Sequence, residues 1–298
     1  MAERPGTPSL AILGTGAMGR YWAYRLASLN PLIVGQAAPP YQVQEQSSTR
    51  IAHPRWQNWD TEPQNSPNIV LLAVKWRGMA RVQSWIAQHA AESLVISLMN
   101  GMGQEDALPV ANLAAGTTTA AVVRLDTPGR RHITINGSGE TILPDRNDWR
   151  MDALKAQSRA QGWNWTWTDD QTMLTRRWVK LVQNSIINPL SALADCPNGD
   201  LPNHPLWQLA SPLMQEARTA AESVHVHLPP DLSDHVRTLT AVTRNNLSSM
   251  LQDVRAELET EISAINGYIV RVAKQQGVSA PTHEALTHLI QSLRVRNP

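Results

Sequence analysis

Short apolar runs alternate with longer mixed stretches along the first half of the chain. Four runs predict strands, the last of them running into a glycine loop: "LAIL" (10–13), "PLIVG" (31–35), "NIVLLAVK" (68–75) and "SLVISLMNGMG" (93–103). Two stretches between them predict helices, "RYWAYRLASL" (20–29) and "MARVQSWIAQHA" (79–90). Because the runs are apolar on both faces, they indicate a parallel sheet covered by helices on both sides.

Two segments of the first half are less regular. Residues 36–64 are rich in Gln, Ser, Pro and Trp, and their pattern predicts no element. Residues 130–144, "RRHITINGSGETILP", alternate apolar and polar positions, which predicts a hairpin or two edge strands.

The pattern becomes helical after about Asp170, and it shows no further strand signal. Helical spacing runs through "QTMLTRRWVKLVQNSIINPLSALAD" and "WQLASPLMQEARTAAESVHVH", and through residues 231–252, 260–275 and 282–295. We therefore predict two domains, an α/β domain over residues 1–168 and an all-α domain over residues 169–298.

Composition narrows the class of protein. Of the 298 residues, 42% are hydrophobic and 17% charged, and the net charge is +1, which favours a globular protein without a nucleic-acid surface. The chain shows no signal-peptide core or membrane-spanning run, and its single cysteine, Cys196, excludes an internal disulfide. A cytoplasmic protein is the expectation. The nine histidines form no ligand set, so no metal site is expected.

A glycine motif follows the first predicted strand. Gly14, Gly16 and Gly19 form G-x-G-x-x-G between a strand and a helix, a pattern typical of Rossmann-type dinucleotide-binding domains. The candidate cofactor loop comprises Gly14, Thr15, Gly16, Ala17, Met18 and Gly19. A plain tight turn is the alternative interpretation.

The usual partner of the cofactor ribose is missing. The second strand runs into "GQAAPPYQVQ", which holds neither the acidic residue that selects NAD nor an arginine for the 2′-phosphate of NADP. Gln36 is a candidate ribose contact. Lys75, Arg77 and Arg50 are candidate phosphate contacts, and the choice of cofactor stays open at this stage.

Lysine is rare in this chain. Only four of the 26 basic residues are lysines, namely Lys75, Lys155, Lys180 and Lys274. Lysine, unlike arginine, gives up a proton when its surroundings lower its pKa from about 10.4. The rarity is either compositional drift or a sign that lysine is kept where its chemistry is needed.

Polar side chains form a stripe on the first helix of the second half. Lys180, Asn184 and Asn188 recur at four-residue spacing against an apolar background, so they share one face. The stripe is either a solvated face or the lining of a ligand site.

Further along, Ser248, Ser249, Asp253 and Glu261 are candidate site residues. Ser249 and Glu261 converge only if the helix breaks between them, and Thr260 is a candidate cap for the new helix. An ordinary charged face at 257–261 is the alternative, just as a turn is the alternative for Asn100 in "NGMG".

These motifs together resemble the ketopantoate reductase family (2-dehydropantoate 2-reductases). The resemblance extends from Leu10 to about Pro281, and it rests most on "LGTGAMG", "NGMG", "WVKLVQNSIINPLSALADCPNG", "SSMLQD" and "TEISAING". It implies a Rossmann-type domain followed by a helical domain, with the active site in the cleft between them. It also implies NADPH-dependent reduction of ketopantoate to pantoate, a precursor of pantothenate and coenzyme A.

The resemblance also implies roles for matching residues. Lys180 falls on the family's catalytic lysine and Glu261 on its active-site glutamate. Asn184, Asn188 and Ser249 fall on substrate-binding positions, and Lys75 falls on the cofactor-side lysine. Asn100 is expected beside both substrate and cofactor, and Glu261 beside the cofactor as well.

The chain departs from the family in two segments. Many members carry an arginine after the second strand, where this chain has "GQAAPP", so NADPH is expected with NADH not excluded. The segment "AELE" replaces the glycine- or proline-containing turn found before the active-site glutamate. Two alternative functions stay open, namely reduction of another 2-oxo acid or an imine by the same residues, and redox sensing without turnover. Monomer and homodimer are both compatible with the sequence.

Overall fold

A six-stranded sheet is the centre of the N-terminal half in the computed structural model, which describes residues 7–36, 40–108 and 110–293. Its strands lie in the order β5-β2-β1-β6-β7-β8, and every neighbouring pair is parallel. This order is that of the Rossmann fold, so the predicted fold class is confirmed. The strands are β1 (Leu10–Leu13), β2 (Leu32–Val34), β5 (Arg55–Gln57), β6 (Ile69–Leu72), β7 (Leu94–Ser97) and β8 (Leu113–Ala115).

Both faces of this sheet are buried, as the continuous apolar runs predict. Leu10 and Ile12 of β1 belong to one core cluster, together with Trp22 of helix α1 (Ala17–Arg25). Ala11 and Leu13 belong to another, together with the apolar side of helix α2 (Met79–His89). Alternate side chains of one strand therefore serve two separate cores.

Two smaller sheets complete this half. The segment without a sequence-based assignment contains β3 (Tyr41–Glu45), β4 (Ser48–Ala52) and β5. Strand β3 lies in a four-stranded sheet of order β10-β11-β3-β4, and a three-stranded sheet has the order β13-β12-β9. The remaining elements are β9 (Thr117–Thr118), β10 (Ala121–Arg124), β11 (His132–Gly137), β12 (Thr141–Pro144), β13 (Trp165–Thr168), α3 (Gln104–Ala107) and α4 (Trp149–Gln161).

The hairpin expected at residues 130–144 is wrong, although both strands exist. β11 pairs with β10 and β3, whereas β12 pairs with β13 and β9, so the two strands belong to different sheets. Neither is an edge strand. All four residues of β12 are buried, and an interior position with neighbours on both sides satisfies such a strand better than a hairpin would.

An ion pair between the buried Arg20 and the partly exposed Asp126 fixes α1 to the second sheet. Arg20 is only 3% exposed, and its Nη1 and Nη2 atoms lie 2.6 and 3.0 Å from the two carboxylate oxygens of Asp126. Burial by itself raises the pKa of Asp126, but hydrogen bonds from Arg20 and from the His132 N–H bring it below 3.8. The Tyr41 hydroxyl donates to the Arg20 carbonyl at 2.6 Å.

The second half of the chain contains only helices among its described residues. Its long first helix, α5 (Asp170–Ala194), runs through a core with α6, α8, α9 and α10. The other helices are α6 (Ala210–Glu222), α7 (Leu232–Val242), α8 (Ser249–Arg255), α9 (Asn266–Gln275) and α10 (Pro281–Ser292). Short 3₁₀ turns include Asn198–Asn203, Pro205–Leu209 and Ile262–Ala264. Within the described ranges, no helix is long and apolar enough to cross a membrane.

One helix expected at residues 231–252 is in fact two. α7 ends at Val242, and α8 begins after Ser248, whose buried hydroxyl accepts the Leu251 N–H at 3.1 Å. A serine in this position caps a new helix. The helix is therefore interrupted here, although the apolar spacing continues through both helices.

Contacts divide the chain into two units. Residues 1–99 and 104–173 form the first unit, and residues 100–103 together with 174–298 form the second. The loop 100–103 therefore belongs by its contacts to the helical unit, although it follows strand β7 in the chain.

Asp126→Asn is expected to destabilise the protein by about 2 kcal/mol, because it leaves the buried Arg20 guanidinium without a charged partner. Urea unfolding of both proteins measures the difference. Asp145→Asn is the matched control. It breaks an ion pair with Lys155 whose carboxylate is 51% exposed, and we expect a loss below about 1 kcal/mol. Equal losses in the two variants would contradict the role given to Arg20.

Candidate active site

Two glycines of the loop after β1 are required by the fold itself. Gly14 has a φ of +119°, and a Cβ there would lie 2.4 Å from the Ala73 carbonyl oxygen. A Cβ on Gly19 would lie 1.9 Å from the Gly14 carbonyl oxygen. These positions accept no side chain, because the backbone of the loop, of α1 and of the segment after β6 pack directly against each other.

Gly16 differs from its two neighbours. A Cβ at Gly16 would meet no atom within 4 Å, and its φ of −73° suits any residue. Gly16 stands at the N-terminal end of α1, where no side chain among the described residues caps the helix. Nothing among the described residues explains this glycine, whereas an anion that approached the first-turn N–H groups would need the space a side chain fills.

The other loop residues are placed by ordinary packing. The Thr15 side chain lies over Gly35, where a Cβ would come within 2.4 Å of it. Ala17 begins α1, and Met18 packs partly buried against the core that contains Trp22. The loop from Gly14 to Gly19 is therefore held in shape by the fold, with open space at Gly16.

Lys75 lies near this loop in the topology of the sheet. It follows β6, which is parallel to β1, so both strands end at the same edge. Lys75 is half-buried and precedes the 3₁₀ turn Trp76–Gly78. Arg50 lies elsewhere, on β4 of the second sheet, and it is exposed. Gln36 is exposed after β2, and residues 37–39 lie outside the described residues.

The helical unit brings Lys180 and Glu261 into electrostatic contact. Lys180 lies on α5, and burial lowers its pKa from 10.5 to about 8, while the negative charge of Glu261 opposes this shift. Glu261 is only 8% exposed. The two residues are 81 positions apart in the chain, and the fold brings the lysine cation close enough to the carboxylate for the charges to interact.

The polar stripe on α5 is not a solvated face. Asn188 is 7% exposed, Asn184 and Lys180 are half-buried, and all three lie on one continuous helix at four-residue spacing. Buried amide groups are found where they have hydrogen-bond partners or where a ligand supplies them. The interpretation as a ligand-site lining is therefore favoured for this stripe.

The chain breaks between Ser249 and Glu261, which is the condition under which the two residues could converge. α8 ends at Arg255, Glu257 has a left-handed φ of +54°, and a new 3₁₀ turn begins at Ile262. The expected cap is wrong, because Glu261 rather than Thr260 stands at the N-cap of this turn. The break makes Glu261 a terminal residue, so its side chain is not committed to a helix face. Ser249 is the half-buried first residue of α8.

The loop that contains Asn100 packs against the turn that follows Glu261. The Met102 N–H donates to the Ala264 carbonyl at 2.9 Å, and Gly101 has a φ of +77°. A Cβ on Gly101 would lie 2.5 Å from the same carbonyl oxygen. Gly101 is thus needed for this close approach. The contact holds the loop 100–103, which includes Asn100, against the turn that follows Glu261.

Family models match both halves of the chain. Residues 10–148 match the family described as ketopantoate reductase PanE/ApbA, and residues 172–294 match ketopantoate reductase PanE/ApbA C terminal. This chain belongs to the ketopantoate reductase family. The resemblance seen in the sequence is confirmed, and the chain is an oxidoreductase of that family.

Curated relatives agree over almost the whole length. The 2-dehydropantoate 2-reductase of Shigella flexneri is 28% identical over 296 residues, which cover 95% of this chain and 94% of the relative. The enzyme of the same name from Vibrio cholerae serotype O1 is 29% identical over 301 residues, with coverage of 96% and 97%.

Solved structures share the family fold. A PanE/ApbA family ketopantoate reductase from Ralstonia eutropha JMP134 has a TM-score of 0.84 at 24% identity, with 97% of this chain and 99% of that chain covered. D-mandelate dehydrogenase, solved with NADH and anilino(oxo)acetate, has a TM-score of 0.85 at 23% identity, with coverage of 96% and 98%. At these identities the likeness shows the common fold.

Gly19→Ala and Gly16→Ala are expected to differ sharply in stability. The first forces a methyl group into the Gly14 carbonyl oxygen and is expected to cost about 3 kcal/mol or more. The second places a methyl group in open space and is expected to change stability by less than about 1 kcal/mol. Urea midpoints of the two variants check this, and a large loss at Gly16 would mean that the fold itself needs that glycine.

Proposed function

We propose that this protein reduces ketopantoate (2-dehydropantoate) to pantoate with NADPH, as a step toward pantothenate and coenzyme A. The observation that carries the proposal is the half-buried Lys180, whose pKa is lowered to about 8 beside the buried Glu261. A lysine of this kind carries a proton at neutral pH and releases it more readily than a lysine in water. Membership of the ketopantoate reductase family supports the substrate.

The glycine loop fits the pyrophosphate of a dinucleotide. The space at Gly16 and the uncapped first turn of α1 suit an anionic group held by backbone N–H groups. We propose that the residues from Gly14 to Gly19 hold the cofactor, with Lys75, Asn100 and Glu261 as further contacts. A bound reduced nicotinamide supplies the hydride that adds to the carbonyl carbon of the substrate.

Lys180 is proposed to complete the reduction as the general acid. Negative charge develops on the carbonyl oxygen as the carbon becomes tetrahedral, and the Lys180 ammonium stabilises it and then transfers a proton to it. The products are the 2-hydroxy acid, the oxidised cofactor and neutral lysine, and the lysine then takes a new proton from solvent. Glu261 favours the charged form of Lys180 before the reaction and is proposed to accept a hydrogen bond from the substrate hydroxyl.

The asparagines and the serine are proposed to orient the substrate. Asn184 and Asn188 each offer a donor and an acceptor on the same face as Lys180, which suits a molecule bearing a hydroxyl and a carboxylate. Ser249, at the start of α8, is proposed to bind the same polar groups, and Asn100 to contact substrate and cofactor.

The alternatives differ from this proposal in measurable ways. A reductase of another 2-oxo acid or of an imine would use the same lysine but turn over ketopantoate poorly. A redox sensor would bind the dinucleotide without oxidising it, and such a protein has no use for a proton donor. The proposed cofactor preference is for NADPH, with NADH as the alternative. A homodimer is compatible with the dimeric ketopantoate reductase known from Staphylococcus aureus, which shares the fold at a TM-score of 0.82.

Lys180→Ala is expected to lower kcat for ketopantoate by about 10²- to 10⁴-fold, the usual contribution of a general acid. Loss of absorbance of NADPH, and separately of NADH, measures the rate, while fluorescence titration measures dinucleotide binding, which should survive. Lys180→Arg keeps the charge but is a poor proton donor, so it should also lose about 10²-fold or more.

Lys274→Ala is the matched control for this lysine. Lys274 pairs with Glu284 on the exposed side of α9, with 66% of its side chain accessible, so its removal should change kcat by less than about twofold. Near-normal turnover in Lys180→Ala would refute the assignment. Rapid turnover of other 2-oxo acids, with poor turnover of ketopantoate, would overturn the proposed substrate but not the proposed role of Lys180.

The rate is expected to fall above about pH 8, because the general acid loses its proton there. Glu261 raises the pKa of Lys180, so Glu261→Gln should move this alkaline limb of kcat/KM to lower pH, by about half a unit or more. Steady-state rates from pH 6 to 10 measure the limb. Glu259→Gln, an exposed glutamate two residues away, is the control and should leave it in place. Equal shifts of the alkaline limb in both variants would mean that residues 257–261 are an ordinary charged face, with no special role for Glu261.

A further inference from the structure

Helix α5 contains a proline that leaves one of its carbonyl groups without a helical partner. Pro189 has no N–H group, so the carbonyl of Ser185, four residues earlier, lacks the usual donor. The side chain of Asn266 fills this gap, since its Nδ2 donates to the Ser185 carbonyl oxygen at 2.9 Å. Asn266 is 0% exposed and is the first residue of α9.

The orientation of Asn266 is fixed from its other side by His283. A carbonyl oxygen accepts but never donates, so the Leu213 carbonyl, 3.0 Å from Nε2 of His283, requires the proton on that nitrogen. Nδ1 of His283 is then an acceptor, and it lies 3.0 Å from Nδ2 of Asn266. Both N–H bonds of the amide are thereby used, and burial lowers the pKa of His283 to about 4, which keeps the ring neutral.

His283 in turn is anchored to helix α6. The Glu216 carboxylate accepts the N–H groups of Thr282 and His283 at 2.9 and 3.0 Å, at the start of α10. Leu213, which accepts from the histidine ring, lies one turn earlier on α6. The four helices α5, α6, α9 and α10 are therefore joined by one chain of buried hydrogen bonds that ends at Ser185.

Both ends of the Asn266 bond lie beside residues proposed to act on the substrate. Ser185 directly follows Asn184 and lies five residues after Lys180 on α5. Asn266 lies five residues after Glu261 and begins α9, just beyond the short turn that Glu261 caps. The bond thus joins the lysine helix to the segment that carries the glutamate, and a hydrogen bond permits little variation in its length.

We infer that Asn266 is a positioning residue for the reduction, holding the Glu261 segment at a fixed distance from the Lys180 helix across the gap left by Pro189. This inference rests on the proposed function of Lys180 and Glu261. Asn266 touches neither reacting atoms nor cofactor in this scheme. Its effect passes through the separation of the two charged side chains.

Asn266→Ala is expected to lower kcat for ketopantoate about tenfold and to move the alkaline limb of the pH profile to lower pH. The limb moves down because Glu261 raises the pKa of Lys180, and a glutamate that drifts away raises it less. A side chain with a merely structural role would lower the unfolding midpoint without moving the limb.

Asn198→Ala is the matched control. Asn198 is also a buried asparagine of the helical unit, 7% exposed, and its Nδ2 donates one hydrogen bond, to the Thr243 hydroxyl at 3.0 Å. It joins no segment that carries Lys180 or Glu261. Asn198→Ala should therefore lower stability while kcat stays within about twofold and the limb stays in place.

Pro189→Ala separates the two roles of Asn266 even if Asn266→Ala folds poorly. Alanine at 189 supplies the missing N–H to the Ser185 carbonyl, so the double variant Pro189→Ala/Asn266→Ala has no unsatisfied carbonyl in α5. We expect the double variant to fold and still to show the lower kcat and the lower limb when compared with Pro189→Ala.

The outcomes distinguish this inference from the proposed function. Equal kcat and equal limbs in Pro189→Ala and the double variant would show that Asn266 only fills the gap, and would overturn the inference alone. A wild-type protein that turns over no 2-oxo acid with NADPH or NADH would overturn the proposed function and the inference with it.

Discussion

A lysine kept partly out of water beside a buried carboxylate is the interaction on which the proposed chemistry of the helical unit depends. Removing an ammonium group from water costs free energy, and this cost lowers the pKa of Lys180 to about 8. Glu261, itself only 8% exposed, offsets part of that cost. The balance holds only while the two side chains stay close, because their attraction weakens with distance. The backbone around both residues must therefore be held firmly.

In the N-terminal unit, the loop after β1 is held in place by close backbone packing and not by charge. Gly14 and Gly19 are glycines because other backbone atoms occupy the place of a Cβ. Gly16 has no such reason within the described structure, and the open space there is what the proposed cofactor site requires. A glycine motif read from sequence does not separate these two causes. The space around each glycine does.

Patterns that reflect burial predicted the fold well, and patterns that depend on distant pairing did not. Continuous apolar runs identified four of the six parallel strands, β1, β2, β6 and β7, because both faces of those strands are buried, whereas the short strands β5 and β8 were missed. Strand β4 escaped notice because four of its five residues are exposed, which leaves it no apolar signal. The hairpin at 130–144 failed because β11 pairs with β10 on one side and, on the other, with β3 some 90 residues away, a partner that no local pattern specifies.

The candidate site shows the same division at the level of single residues. Helical periodicity placed Lys180, Asn184 and Asn188 on one face, whereas the break before Glu261 rested on the family resemblance. Asn266 was not found, although its signal was present: a proline inside a helix always leaves a carbonyl group that something must satisfy. The donor that satisfies it comes from 81 residues further along the chain. Counting unmet hydrogen bonds in a predicted helix therefore reveals that a partner exists, and only the folded chain reveals that this partner also joins the two charged groups of the site.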